Sequence, residues 1–220
     1  MQPKLRLEQE RITTRELRRR SIIQAAQKVF WEKGFENSTM QDIAHECSLG
    51  IATVFRYFSK KEKLIVAVAS EIVCAQKEVF ADIVYSEGSC YEKLGRLFDA
   101  LNFYEDDLHQ RHSKLIEAFE GYIAMVGSPV EDIEHFQTVY AQMQELLSEL
   151  GKLGVRDGTI RSDIDIVDTL LTMMNTFGHF SQKMAMIHDT TELQTFVDDS
   201  KQFIILKNVF MEYLKPKHKP

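Results

Sequence analysis

The sequence predicts an all-α fold, and three observations carry that expectation. Proline occurs only at positions 3, 129, 216 and 220, so almost the whole chain is free to be helical. Apolar residues recur at the three-to-four-residue spacing of amphipathic helices from Ile22 to Phe210. No alternating strand pattern bounded by turn residues and no internal repeat interrupts them. With 220 residues, 44% hydrophobic and 27% charged, the chain is long enough to bury one large core or two smaller ones.

A first helix is expected to open at Thr13, where Thr13-x-x-Glu16 reads as a capping box, and to stop at Gly34, leaving 1–12 as a flexible basic arm. Its inward stripe is Ile22, Ile23, Ala26, Val29 and Phe30. Ser38-x-x-Gln41, or the overlapping Thr39-x-x-Asp42, opens a short helix carrying Ile43, Ala44 and Cys47. A turn through Leu49 and Gly50 leads to another short helix over 51–58, and Ser59-x-x-Glu62 opens a long one reaching about Tyr85. Further helices are expected at about 89–108, 111–126, 130–152, 164–187 and 191–214. Gly127-Ser128-Pro129 and the stretch from Gly151 to Gly158 mark breaks, and Asp189-x-x-Glu192 caps the last helix.

Charge is divided along the chain. Residues 1–63 hold 13 Lys and Arg against 8 Asp and Glu, a net of +5, whereas 64–220 hold 14 against 25, a net of -11. A basic head on an acidic body is the asymmetry expected when one end meets phosphate and the remainder is repelled by it. No apolar run approaches the roughly 18 residues of a membrane helix, and the charged opening predicts a cytoplasmic protein without an export signal. Cys47, Cys74 and Cys90 are odd in number and widely spaced, which argues against a disulfide framework or a cysteine zinc site and for reduced packing residues; a redox-sensing thiol is the sharper alternative.

Two short helices joined by a tight turn form a helix-turn-helix, whose second helix enters the major groove of DNA. The string from Ile22 to Leu64 sharpens this: A-x-x-x-F-x-x-x-G-F in the first helix, T-x-x-D-I-A in the second, then T-V-F-R-Y-F-x-x-K-E-x-L. It closely resembles the DNA-binding region of the TetR family of transcriptional regulators. The resemblance implies a DNA-binding head at 1–63 and a helical effector-binding and dimerisation domain at 64–220, with no cofactor and no catalysis. It further implies that Ile51, Ala52, Thr53 and Phe55 meet bases, and that Tyr57 and Lys61 meet phosphate. Thr39 at a helix start is suited to phosphate, Gln41 to a base edge, and Arg56 to guanine or phosphate. Val54 and Phe58 are expected in the core. The sequence departs from the family at Ser48, where Gly is frequent, at Gly50, where Ser is frequent, and at Phe55, where Tyr is frequent.

One head offers too few base contacts for specificity, so a two-fold dimer reading an inverted repeat is expected. In the resembling family the last two helices form the dimer bundle, which implies Leu171, Met174, Gly178, Phe203, Leu206 and Phe210 here. Phe98, Phe103, Phe119, Tyr122, Phe136, Tyr140, Met143, Phe177 and His179 are candidates to line a site for a hydrophobic effector, neutral or weakly cationic, and each suits plain core packing as well. A rival reading uses Asp106-x-x-His109 and Asp132-x-x-His135 as carboxylate and imidazole pairs on helix faces, for a metal-sensing regulator or a metal-dependent helical-bundle enzyme.

Overall fold

The computed structural model describes residues 3–101, 107–126, 129–188 and 199–217, and their side chains except those of 3–10, 107, 109, 182, 185–188 and 199–200. Among the described residues every regular element is helical, in the order α1 (Pro3–Asn37), α2 (Met40–Glu46), α3 (Ile51–Tyr57), α4 (Lys61–Tyr85), α5 (Cys90–Ala100), α6 (Asp107–Val126), α7 (Ile133–Asp157), α8 (Ile166–His188) and α9 (Asp199–Leu214). None of the helices is long and apolar enough to cross a membrane.

The chain divides into two compact units, Met1–Glu71 with Ala118–Phe136, and Ile72–Glu117 with Gln137–Pro220. Helices α4, α6 and α7 each contribute residues to both. In the first unit α1 packs on α2 and α2 on α3. The expected stripe of Ile22, Ile23, Ala26, Val29 and Phe30 is buried, together with Ile43, Ala44, Val54 and Phe58. Phe30 meets Phe35 edge to face at 5.1 Å, and Phe35 meets Tyr122 at 6.3 Å.

In the second unit the core joins Leu94, Leu97 and Phe98 of α5, Leu146, Leu147 and Leu150 of α7, Leu170 and Phe177 of α8, and Phe203 and Met211 of α9. Gly154 allows the tightest approach. A Cβ there would fall 2.6 Å from the Cys90 Sγ and closer still to Ile160, so only glycine lets α7 meet these side chains. Cys90 is fully buried, and burial first, then the Asp157 carboxylate, push its thiol up to about 12. Burial likewise raises Cys47. Neither group is a thiolate at neutral pH, so both fit the packing role rather than the redox one.

Several boundaries differ from the expectation: α5 ends at Ala100 rather than near 108, and α7 runs from Ile133 through Gly151 and Gly154 to Asp157 instead of breaking after 152. Helix α1 begins at Pro3 rather than Thr13, because residues 3–12 hold no helix breaker after a proline that suits a first turn. Gly34 does break the helix, with φ 74 and ψ 168, although a further turn follows to Asn37. The cap expected at Asp189 lies outside the described residues.

Candidate nucleic-acid interface

The head is assembled by local backbone chemistry. Of the two overlapping capping boxes, the structure uses Thr39 and Asp42. The Asp42 N–H donates to the Thr39 Oγ1 at 3.1 Å, and the Thr39 N–H donates to the Asp42 carboxylate at 2.9 Å. Ser38 instead turns its hydroxyl onto the Phe35 carbonyl. Hydrogen bonds from Lys33 and from the Thr39 hydroxyl and amide hold the Asp42 carboxyl down at about 2. Ion pairs Lys33–Asp42 and Lys28–Glu46 fasten α2 to α1.

The turn between α2 and α3 is a Schellman motif. The Ser48 N–H donates to the His45 carbonyl at 3.1 Å, and the Leu49 N–H reaches back to that of Ala44 at 2.9 Å. The motif requires a left-handed residue at the position after the helix, and Ser48 supplies it at φ 52 without being glycine. Gly50 then caps α3 in extended conformation and has no side chain to bond the first turn. Two of the three departures from the family pattern therefore fall at the positions that set how α3 leaves the turn.

Helix α3 commits a single one of its seven residues, Val54, fully to the core. Phe58, its C-terminal flanking residue, is buried as expected, with the Arg19 guanidinium 5.2 Å from its ring centroid. Ile51, Ala52, Phe55 and Arg56 are exposed, while Thr53 and Tyr57 are half-buried. Ile51 is 37% and Phe55 44% exposed, so this face presents large apolar groups beside a guanidinium and a hydroxyl. Such a surface can offer van der Waals contact to thymine methyls and hydrogen bonds to base edges or phosphates. Thr39 and Gln41 are exposed at the start of α2.

Lys61 is differently employed. Its ammonium donates to the carbonyls of Phe35 at 2.6 Å, Ser38 at 2.9 Å and Glu36 at 3.4 Å, which places a cation on the last turn of α1. Two neighbouring lysines also have partners. Lys60 pairs with Glu131 at 2.5 Å, and Lys63 with Asp132 at 3.0 Å and Glu131 at 3.4 Å. Nothing in the sequence pattern separated Lys61 from a phosphate ligand, because both roles need the same ammonium.

The described effector candidates divide between the two units. Phe98 and Phe177 are fully buried and in ring contact at 5.0 Å in the second unit, whereas Phe119 and Phe136 meet at 4.9 Å in the first. Tyr122 and Met143 are half-buried, Tyr140 and His179 are exposed, and the Tyr140 hydroxyl lies 3.4 Å from Asn175 Oδ1. Phe103 lies outside the described residues. Among the dimer candidates, Phe203 meets Phe177 edge to face at 4.5 Å and Phe210 lies 5.8 Å from Phe98. Met174 is buried, and Leu171 and Leu206 pack against the same core. Phe203 and Met174 thus serve the chain's own interior, while Phe210 is half-buried against it like Leu171 and Leu206. The outward face of α9 carries Ile204, Ile205 and Val209, each more than half exposed, interleaved with exposed Lys201, Asn208 and Glu212. Gly178 has open space where a Cβ would stand.

The Asp132–His135 half of the metal reading does not survive the backbone. Asp132 precedes α7 in a left-handed conformation, φ 63, and gives its carboxylate to Lys63, so it does not share a helix face with exposed His135. Among the described residues no cluster of three His, Cys, Asp or Glu side chains could hold an ion. Asp106 and the His109 side chain lie outside them.

The fold and this head define a helix-turn-helix DNA-binding regulator rather than an enzyme. The family model of bacterial regulatory proteins of the tetR family matches residues 22–68. The chain is 24% identical over 149 residues to the transcriptional repressor KstR2 of Mycolicibacterium smegmatis, covering 68% of this chain and 70% of that one. Its fold is similar to that of a regulator from Saccharomonospora viridis solved with choline, at TM-score 0.72 and 15% identity over 92% of this chain and all of that one. It is also similar to FadR from Bacillus subtilis solved with stearoyl-CoA, at TM-score 0.63 and 16% identity over 88% and 98% of the two chains. Residues 22–68 therefore form a TetR-type helix-turn-helix domain, and the chain shares its fold with solved regulators of that family.

Proposed function

We propose that this protein is a ligand-responsive repressor that binds an inverted-repeat operator in the cytoplasm as a homodimer and is released by a small hydrophobic effector. The exposed face of α3 carries the reading: a two-turn helix that keeps Ile51, Ala52, Phe55 and Arg56 in solvent has a surface to spend on a partner. Thr53, Tyr57, Thr39 and Gln41 extend that surface. Lys61 contributes by fixing the last turn of α1, and reaches phosphate only by leaving those carbonyls. Residues 1–63 serve DNA, and 64–220 serve the effector and the dimer.

The outward face of α9, with Gly178 on α8, is the surface proposed to meet a second copy. Apolar side chains at this exposure gain about 25 cal/mol for each Å² removed from water. The solved neighbours hold choline and stearoyl-CoA, one cationic and one anionic but both small molecules. A neutral or weakly cationic hydrophobic effector is favoured because the second-unit candidates Tyr140 and Met143 are phenolic or apolar and accessible in part. Selection of bound fragments from the source genome tests the function: recovery of an inverted repeat supports it, and recovery of no preferred sequence overturns it. Thermal shifts with a compound library test the effector class, and stabilisation by anionic metabolites alone would contradict it.

A further inference from the structure

Helix α1 runs without a break from Pro3 to Gly34, and its N-terminal part carries arginine where the rest carries core. On a helix that turns about 100° per residue, Arg11, Arg15, Arg18 and Arg19 fall within an arc of about 100°. Ile22, Ala26 and Val29 occupy the same arc further along, where they are buried. Glu16 lies outside the arc, and Arg20 is on the opposite side. One continuous stripe therefore changes from apolar to cationic where α1 runs past the helices it packs on. Arg19 fixes where the stripe points, because its guanidinium stands over the ring of Phe58, the residue that ends α3.

Resting on the DNA-binding reading above, we propose that Arg11, Arg15 and Arg18 form a second contact surface, a ridge that holds phosphates of the duplex flanking the bases read by α3. The ridge continues for about 12 Å beyond Arg19, at the 1.5 Å rise of a helix. Arg11, Arg15 and Arg18 are exposed, and no carboxylate pairs with them among the described residues. Like charges three and four residues apart each destabilise a helix by about 0.2–0.5 kcal/mol, a cost that an ordinary solvated face avoids by mixing signs. Guanidinium is also the cation suited to bidentate grip on phosphate. Charge complementarity thus selects a polyanion as occupant, and the contact with Phe58 places it beside the recognition helix.

The test compares wild type, the double variant Arg11→Ala/Arg15→Ala, and Arg20→Ala on duplexes recovered by selection with the wild-type protein. The slope of log affinity against log salt should become shallower by about two units in the double variant, since each phosphate contact contributes about 0.9. Base preference should be unchanged, and removing the base pairs outside the selected core should cost the wild type the same affinity as the double substitution. An unchanged slope overturns the ridge, as does an equal per-charge loss from Arg20→Ala, which would show a bulk charge effect. Failure of the wild type to retain any duplex overturns the DNA-binding reading itself.

Discussion

Helices α3 and α9 both leave large apolar side chains in water, but in different company. On α3, Ile51 and Phe55 stand beside Thr53 and Arg56 on a helix of seven residues that buries only Val54. On α9, Ile204, Ile205 and Val209 stand outward among Lys201, Asn208 and Glu212 on a sixteen-residue helix whose other side is packed through Phe203, Met211 and Leu214. Apolar side chains beside an arginine suit base edges and phosphates, whereas three large aliphatic side chains exposed together on one helix suit another apolar surface. Two exposed faces on one chain thus point to two kinds of partner.

Substitutions can separate the faces. Phe203→Ala should lower chain stability by about 3–5 kcal/mol in denaturant unfolding, because the ring belongs to the interior. An effect confined to subunit association would return Phe203 to the interface. Ile205→Asp should leave the fold intact and raise the dimer dissociation constant by about 100-fold in sedimentation, because a buried carboxylate without a partner is costly. Phe55→Ala or Arg56→Ala should keep the dimer and weaken operator binding by about 1–3 kcal/mol. If Ile205→Asp remained dimeric, or Phe55→Ala became monomeric, the assignment of the two faces would be broken.

Smaller effects belong to the devices that set α3 in place. Thr39→Ala should cost about 1 kcal/mol in thermal unfolding by removing the cap of α2. The same box gives a pH dependence. Asp42 is held at about 2, below the usual carboxylate value, so its contribution is present above the unfolded value of about 4 and disappears as pH falls from there toward 2. An Asp42→Asn variant should show a flatter acid limb in the same range. Ser48→Gly should stabilise by about 0.5–1 kcal/mol by relieving a left-handed non-glycine residue. Gly50→Ser should add a few tenths, since nothing lies within 4 Å of the Cβ position there.

These same positions explain what was legible in the sequence. Capping boxes, Gly34 and the 3.6-residue stripe act within a few residues of themselves, so α2, α3 and the buried face of α1 could be read directly. Lys61 could not, because its partners are carbonyls more than twenty residues away. Asp132 and His135 have the spacing of a helical pair, but the helix starts one residue too late to hold both. On α8 and α9 every apolar residue fits either core or interface by periodicity. Only packing assigns Phe203 inward and Ile205 outward.

The central claim is that the outward side chains of α3 read duplex DNA. It is tested most directly by titrating the wild-type protein and Phe55→Ala against a selected duplex and a scrambled duplex of equal length at one salt concentration. The account predicts a wild-type preference of at least about a thousandfold that shrinks in the variant. Equal retention of the two duplexes by the wild type, or a preference that Phe55→Ala leaves unchanged, would contradict it.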